Sequence, residues 1–268
     1  MIRNVLSIAG SDPSGGAGIQ ADLKTFSACG VYGMAVLTAL TAQNTQGVSG
    51  VHLVPPSFVA RQIEAVFADI RVDAVKIGMV ASAGIAEAVA DALAPHPNLP
   101  VVLDPVMVAK GGASLLDPDA VAALVERLLP LATIITPNLP EAAALIGVPV
   151  AETRAQMAEQ ARQLRTAGAH AVLLKGGHLG GNDSPDVFSS QTELEWLEGP
   201  RIATASTHGT GCTLSSALSA SLARGMPPVG AAQAAKAYLA GAIVDAERLS
   251  VGSGHGPVHH FHQFWQQS

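Results

Sequence analysis

The segment Ser206-Thr207-His208-Gly209-Thr210-Gly211-Cys212-Thr213 leads directly into the apolar stretch Leu214–Ala223, so a glycine-rich loop opens a helix. Free backbone amides at such a helix start, reinforced by the helix dipole, form a ready site for an anion such as phosphate. The same residues also fit an ordinary cap in which Thr210 or Thr213 satisfies the first amides. A second glycine loop, Ser14-Gly15-Gly16-Ala17-Gly18, follows the first apolar run, and Gly16-x-Gly18-x-x-Ala21 matches the dinucleotide fingerprint loosely. That fingerprint needs an acidic residue about 20 positions onward to bind a ribose. Leu40-Thr41-Ala42-Gln43 stands there instead. The loop therefore reads as a cradle for another ligand, or as a turn that packs the first helix against its strand. No Gly-Lys-Ser or Gly-Lys-Thr occurs, which excludes a P-loop. Lysine is scarce, five against ten arginines, and Lys175 stands between an apolar run and Gly176-Gly177. It is a candidate cation for the anion, or a strand-end lysine whose stem covers apolar surface.

These residues must be positioned by the elements around them. Short β-branched runs alternate with Ala-rich helical stretches: Val5–Ala9 then Ala17–Cys29, Ala74–Ile77 then Ser82–Leu93, Val101–Leu103 then Pro118–Leu129, and Thr133–Thr136 then Pro140–Ile146. This alternation predicts an α/β fold with a parallel sheet. Val101-Val102-Leu103 and Ala171-Val172-Leu173-Leu174 are apolar throughout, as strands covered by helices on both faces should be. An open doubly wound sheet fits best. A TIM barrel fits less well, because Val187–Ser190 and Glu193–Leu197 read as adjacent strands with no helix between them. In an open sheet the ligand lies beyond the carboxyl ends of the strands. The positions to inspect are Gly10-Ser11-Asp12, Gln43-Asn44, Gly78-Met79, Asp104-Pro105, Asn138 and Lys175-Gly176-Gly177.

The 268 residues read as a single domain, 1–268, with no linker or charge block dividing them. Apolar residues reach 49% and charged residues only 13%, which suggests helices buried on both sides or an apolar subunit interface. A net charge of −6 without a Lys/Arg cluster argues against nucleic-acid or membrane-surface binding and favours a small-molecule partner. The first apolar stretch is too short for a membrane span, and Cys29 and Cys212 are not expected to pair, so a cytoplasmic location is expected. The cluster His255, His259, His260 and His262 lacks acidic or thiol companions and lies near the chain end, where a disordered or surface-docked segment is expected rather than a metal site.

Taken together, the motifs resemble a known family. Gly209-Thr210-Gly211-Cys212 looks like the anion hole of the ribokinase-like kinases, and Asn138-Leu139-Pro140-Glu141 is similar to their Asn-x-x-Glu motif. Ile8 to Lys24, Thr38 to Thr45, Lys76-Ile77-Gly78-Met79, Leu103 to Met107 and Gly254 to Val258 resemble the hydroxymethylpyrimidine and phosphomethylpyrimidine kinases of thiamine biosynthesis, in that family's order. The resemblance implies a ribokinase-like three-layer α/β/α sandwich with a mostly parallel central sheet. It implies phosphorylation of 4-amino-5-hydroxymethyl-2-methylpyrimidine, and then of its monophosphate, by ATP with Mg²⁺, in a homodimer.

Carried over by residue, the resemblance puts the pyrimidine among Gly10, Ala17, Asp22, Gln43, Met79 and Val106, with the hydroxymethyl arm toward Cys212. Met79 and Val106 would sandwich the flat ring while Gln43 and Asp22 serve its polar edge. Both apolar residues suit plain core packing equally. The nucleotide would lie against Asn138, Glu141, Lys175 and Lys236, with Asp104 and Glu141 holding the metal and Gly209, Gly211 and Lys175 receiving the transferred charge. Lys110, beside Gly111-Gly112, would sit on a loop over the site. Cys212 departs from the wider superfamily, which places an aspartate base there. A pyridoxal kinase of the same superfamily is the nearest rival. An NAD-dependent oxidoreductase lacks its acidic partner, and a non-catalytic vitamin binder leaves the coincidence of Asn138, Glu141, Lys175 and the anion hole unexplained.

Overall fold

A computed structural model describes residues 1–107 and 118–265. In chain order the elements are β1 (Asn4–Ala9), α1 (Gly18–Ala28), β2 (Tyr32–Leu37), β3 (Ala39–Asn44), β4 (Gly47–Leu53), α2 (Pro56–Asp69), β5 (Ala74–Ile77), α3 (Ala83–Leu93) and β6 (Val101–Leu103). Then come α4 (Pro118–Ala123), β7 (Ile134–Ile135), α5 (Leu139–Ile146), α6 (Arg154–Thr166), β8 (Val172–Leu174), β9 (Asp186–Ser189), β10 (Leu194–Leu197), α7 (Thr210–Ala223) and α8 (Pro228–Val244). The helical stretch expected through Leu129 holds its α-helical form only to Ala123 and continues as a π turn, Leu124–Leu128. Pro130 follows, and having no amide to donate it cannot extend a regular helix.

Eight strands form one open sheet in the order β10-β9-β8-β7-β6-β5-β1-β2. Every pairing from β2 to β8 is parallel, and β9 runs against both of its neighbours. Alternate residues of each strand serve opposite layers. Leu6, Ile8, Ile77 and Leu103 pack in a core with α2, α3, α5 and α6, whereas Val102, Ile134 and Leu173 pack with α7 and α8. The result is the expected three-layer sandwich. The chain turns from β1 outward to β2, then crosses to β5 on the other side of β1, so strand order reverses at β1 and β5. Such a switch opens a crevice at the carboxyl ends of the strands.

One expectation fails in the fold. Thr41 and Gln43 do not end a strand of the main sheet. β2 stops at Leu37, and β3 pairs antiparallel with β4 in a separate two-stranded sheet, irregular between Ala42 and Gln43. The cause lies in the side chains: β3 buries Ala39 but exposes Leu40 and Ala42, and most of β4 is exposed, so neither has two apolar faces to place between helix layers. This small sheet folds over the crevice. Among the described residues no helix is long and apolar enough to cross a membrane.

Candidate active site

The strand ends and the glycine-rich helix starts converge on one cavity of about 1300 Å³. Its wall includes Gly10 and Met79 after β1 and β5, Asp104 and Val106 after β6, Asn138 and Glu141 at α5, and Lys175 after β8. Gln43, Ala17, Gly209, Gly211, Cys212 and Lys236 complete the set brought together there. Asp22 is the exception. Lys110 lies outside the described residues.

The floor is built by the two glycine loops. α1 and α7 both begin without a side-chain cap, at Ala17 and Gly209, so neither Thr210 nor Thr213 takes up the first amides of α7. Gly209 adopts φ 79°, and a Cβ there would collide with the carbonyl oxygen of Gly16. Only glycine meets both demands. Two open helix starts thus lie side by side, their amide ends toward the cavity. Asp12, buried behind them, accepts from the Ser14 amide at 2.9 Å, the Ser14 hydroxyl at 2.6 Å and the Ala17 amide at 2.8 Å. It also accepts from His208 Nε2 at 2.7 Å. Burial opposes its charge, but the hydrogen bonds from His208 and Ser14 outweigh that and hold its carboxyl down to about 2.

The charged centre stands at the start of α7. Lys175 Nζ lies 3.2 Å from Asp104 Oδ1 and 3.8 Å from Glu141 Oε2. Burial works against the ammonium, yet the carboxylates of Asp104 and Glu141 prevail and raise its pKa. Glu141 is raised too, first by burial and further by Asp104, with Lys175 pulling the other way. Thr136 Oγ1 donates to Asp104 Oδ1 at 3.2 Å. A Cβ on Gly211 would stand 3.3 Å from Asp104 Oδ2 and 3.5 Å from Lys175 Nζ, so the missing side chain keeps the centre open. The Asn-x-x-Glu spacing has a plain local reason: Asn138 Oδ1 accepts from the Glu141 amide and Glu141 Oε2 from the Asn138 amide, each at 2.8 Å, in a capping box. The box fixes the Glu141 carboxylate beside Lys175. Lys236, farther along the cavity, donates to Asp186 Oδ2 and the Ser184 carbonyl, both at 2.7 Å. Asp186 in turn accepts from the Gly176 amide at 2.9 Å, which anchors the turn after Lys175.

At the other end, the Met79 methyl occupies the place of a Gly10 Cβ, so the glycine leaves room for it. Gln43 Oε1 accepts from Thr41 Oγ1 at 3.3 Å, and its amide nitrogen lies 3.4 Å from His208 Nε2. That ring nitrogen carries the proton given to Asp12, so it cannot accept from Gln43. Gln43 lines the cavity, and among the described residues its amide donors have no acceptor besides that ring nitrogen.

Asp22 corrects the sequence reading. It is fully buried beneath the cavity, where its carboxylate accepts from Ser7 Oγ at 2.6 Å, Ser216 Oγ at 2.8 Å and Lys76 Nζ at 2.9 Å. With three donors already engaged it has no exposed edge for a ring. The partner sequence reasoning missed is Lys76, which is buried yet lines the cavity. Burial opposes the Lys76 charge, but Asp22, Cys212 and Asp104 together raise its pKa. Gly78 leaves space for this ammonium, since a Cβ there would come within 2.7 Å of Nζ. Cys212 also differs from the simplest electrostatic expectation. Desolvation pushes its thiol up to about 11, against the pull of Lys76 and the Gly18 amide, so the helix start does not ionise it.

Asp12 and His208 were missed as a pair too, although Asp12-Pro13-Ser14 has the spacing of an Asx turn. The terminal histidines divide: His255 is exposed, whereas His259 and His260 are buried, and burial drives His260 down to about 3 while its Nε2 lies 3.2 Å from Thr213 Oγ1.

The phosphomethylpyrimidine kinase family model matches residues 12–259. The hydroxymethylpyrimidine/phosphomethylpyrimidine kinase of Rhizobium meliloti is 57% identical over 99% of this chain and 100% of its own. Its Escherichia coli counterpart is 55% identical over 98% of each. Among solved structures, an ADP complex of Bacillus subtilis pyridoxal kinase superposes with a TM-score of 0.90 at 39% identity, covering 97% of this chain and 98% of that one. The phosphomethylpyrimidine kinase of Clostridium difficile gives 0.80 at 44% identity, over 90% of this chain and 99% of that one.

Proposed function

Because the chain belongs to the phosphomethylpyrimidine kinase family, we propose that its cavity passes the γ-phosphoryl group of ATP to the hydroxymethyl oxygen of 4-amino-5-hydroxymethyl-2-methylpyrimidine. A second transfer, to the monophosphate, gives the diphosphate. The chain is a phosphotransferase of thiamine biosynthesis with the ribokinase-like fold. The observation that carries the site assignment is the meeting of Asp104, Lys175 and Glu141 with the uncapped start of α7, across one cavity from Gln43 and Met79.

The chemistry follows from where charge develops. Transfer spreads negative charge over the phosphoryl oxygens, and preset donors stabilise it without reorganising. The amides of Gly209 to Gly211 and the Lys175 ammonium serve that role. Asn138, Glu141 and Lys236 flank the nucleotide. Gln43 turns the ring edge, and Met79 and Val106 cover its faces, so the hydroxymethyl arm points at Cys212. Burial pushes the Cys212 thiol up to about 11, which favours a role in shaping the pocket over one as a base. A loose transition state leaves the attacking hydroxyl protonated until late, and positioning dominates.

The two carboxylates either side of the Lys175 ammonium suit Mg²⁺, which favours one or two carboxylates together with substrate phosphates. Asp104 and Glu141 would hold it, and it would neutralise phosphate charge there. We further assign residues 1–268 to one kinase domain working as a homodimer in the cytoplasm. The exposed Tyr32, Leu40, Val51 and Leu53 support the dimer, and the free Cys29 and Cys212 suit a reducing compartment.

The test is turnover on hydroxymethylpyrimidine, its monophosphate and pyridoxal with Mg·ATP. Both pyrimidines should be phosphorylated with the higher kcat/KM. A higher value for pyridoxal would overturn the substrate, and no turnover on any of the three would overturn the kinase site.

A further inference from the structure

We propose that His208 is a positioning residue that locks the pyrimidine loop to the phosphate loop and so sets the distance across which the phosphoryl group moves. The inference rests on the kinase reading of the cavity. His208 is buried and directly precedes Gly209, whose left-handed backbone opens α7. Its side chain and its backbone are held from different directions. Nε2 donates to Asp12 Oδ2 at 2.7 Å, and Asp12 in turn shapes the whole of loop 12–17 through Ser14, Gly16 and Ala17. The His208 ring also rests where a Cβ of Gly16 would lie, so the two loops are in direct contact.

The backbone side is tied to a third wall. The His208 amide donates to the Gly256 carbonyl at 3.1 Å, and His208 forms a β-bridge with Pro257. The same terminal segment grips the turn between β3 and β4: the His255 amide donates to the Thr45 carbonyl at 2.8 Å, and the Gly254 amide to Thr45 Oγ1 at 3.2 Å. That turn carries the sheet holding Thr41 and Gln43. His208 is therefore the joint between the ring-orienting sheet, the loop bearing Ala17 and the amides that receive phosphate. These contacts join protein groups to one another, with His208 and Asp12 themselves part of the cavity wall. Loss of the joint should thus misplace the reacting groups rather than weaken either substrate, and a shift of about 1 Å costs about 10²-fold in rate.

Steady-state kinetics on the full chain with hydroxymethylpyrimidine and Mg·ATP test this with His208→Ala, His208→Gln and His208→Asn. Glutamine places an amide nitrogen close to Nε2, whereas asparagine is too short to reach Asp12. His208→Ala and His208→Asn should lose roughly 10–100-fold in kcat with both KM values within about threefold, and His208→Gln should stay within about fivefold of the parent. If His208→Ala does not fold, the Gln and Asn variants still decide the matter. Parent turnover tests the kinase reading and the ratios among variants test His208, so the two fail separately. Equal kcat in the Gln and Asn variants, parental kcat in His208→Ala, or a loss confined to the pyrimidine KM would overturn the proposal.

Discussion

Replacing Gly211 by alanine should separate the stability of the fold from its chemistry. Gly211 is the second residue of α7, and its φ is not in the left-handed region, so alanine fits the backbone. Such a change in a helix contributes about 0.5–1 kcal/mol by restricting the unfolded chain. Against this stands the new methyl, 3.3 Å from Asp104 Oδ2, 3.5 Å from Lys175 Nζ and 3.8 Å from Asp104 Oδ1. Those contacts require only a few tenths of an ångström of adjustment, so the net stability should stay within about 1 kcal/mol of the parent, or roughly 2–4 °C in Tm. Activity should respond quite differently. The methyl fills the gap between the helix amides and the Asp104–Lys175 pair, where the proposed reaction places the transferred group. Displacement by about 1 Å predicts a kcat reduced about 10²-fold. Calorimetry alongside a coupled ADP-release assay reads both. Parental kcat in a variant of parental Tm would refute the placement of the transferred group at α7.

Lys175→Met should lower kcat about 10²–10³-fold while the pyrimidine KM stays within about threefold, because its partner is charge that develops during transfer; initial-rate kinetics check the split. Gln43→Leu removes the amide donors of a cavity-lining residue and should weaken pyrimidine binding by about 1–3 kcal/mol with the ATP KM unchanged, as titration calorimetry would show. Cys212→Ser should keep activity within about tenfold. The parent pH–rate profile should show no thiol ionisation between about pH 6 and 9, since the raised pKa of about 11 leaves Cys212 protonated throughout that range.

Much of the scaffold was readable from local pattern. The bounds of β6 match its apolar run, since a strand buried on both faces carries its signal in every residue, and β5 keeps its expected bounds although Lys76 interrupts the run. Asp104 and Lys175 were legible for the same reason, as the first polar residues after such runs. The small sheet of β3 and β4 was not, because half-exposed strands carry a weaker signal and nothing local says which sheet a strand will join. The roles of Asp12 and Asp22 depend on partners distant in sequence: Asp12 meets His208 across 196 positions, and Asp22 meets Ser216 across 194. An acidic residue on a helix looks equally ready to bind a ring edge or to be buried with a lysine. Only the fold decides. Cys212 illustrates two opposed effects on one group, a helix start that favours the thiolate and desolvation that forbids it, and the sequence gives no measure of the second.

The most direct test is a crystal structure of the chain with a non-hydrolysable ATP analogue, Mg²⁺ and hydroxymethylpyrimidine bound together. The ring should lie between Met79 and Val106, with its hydroxymethyl oxygen about 3–3.5 Å from the γ-phosphorus. The γ-phosphate should contact the amides of Gly209 to Gly211 and the Lys175 ammonium. A γ-phosphate bound away from the start of α7, or a ring seated away from Gln43 with Asp22 turned toward it, would contradict the account.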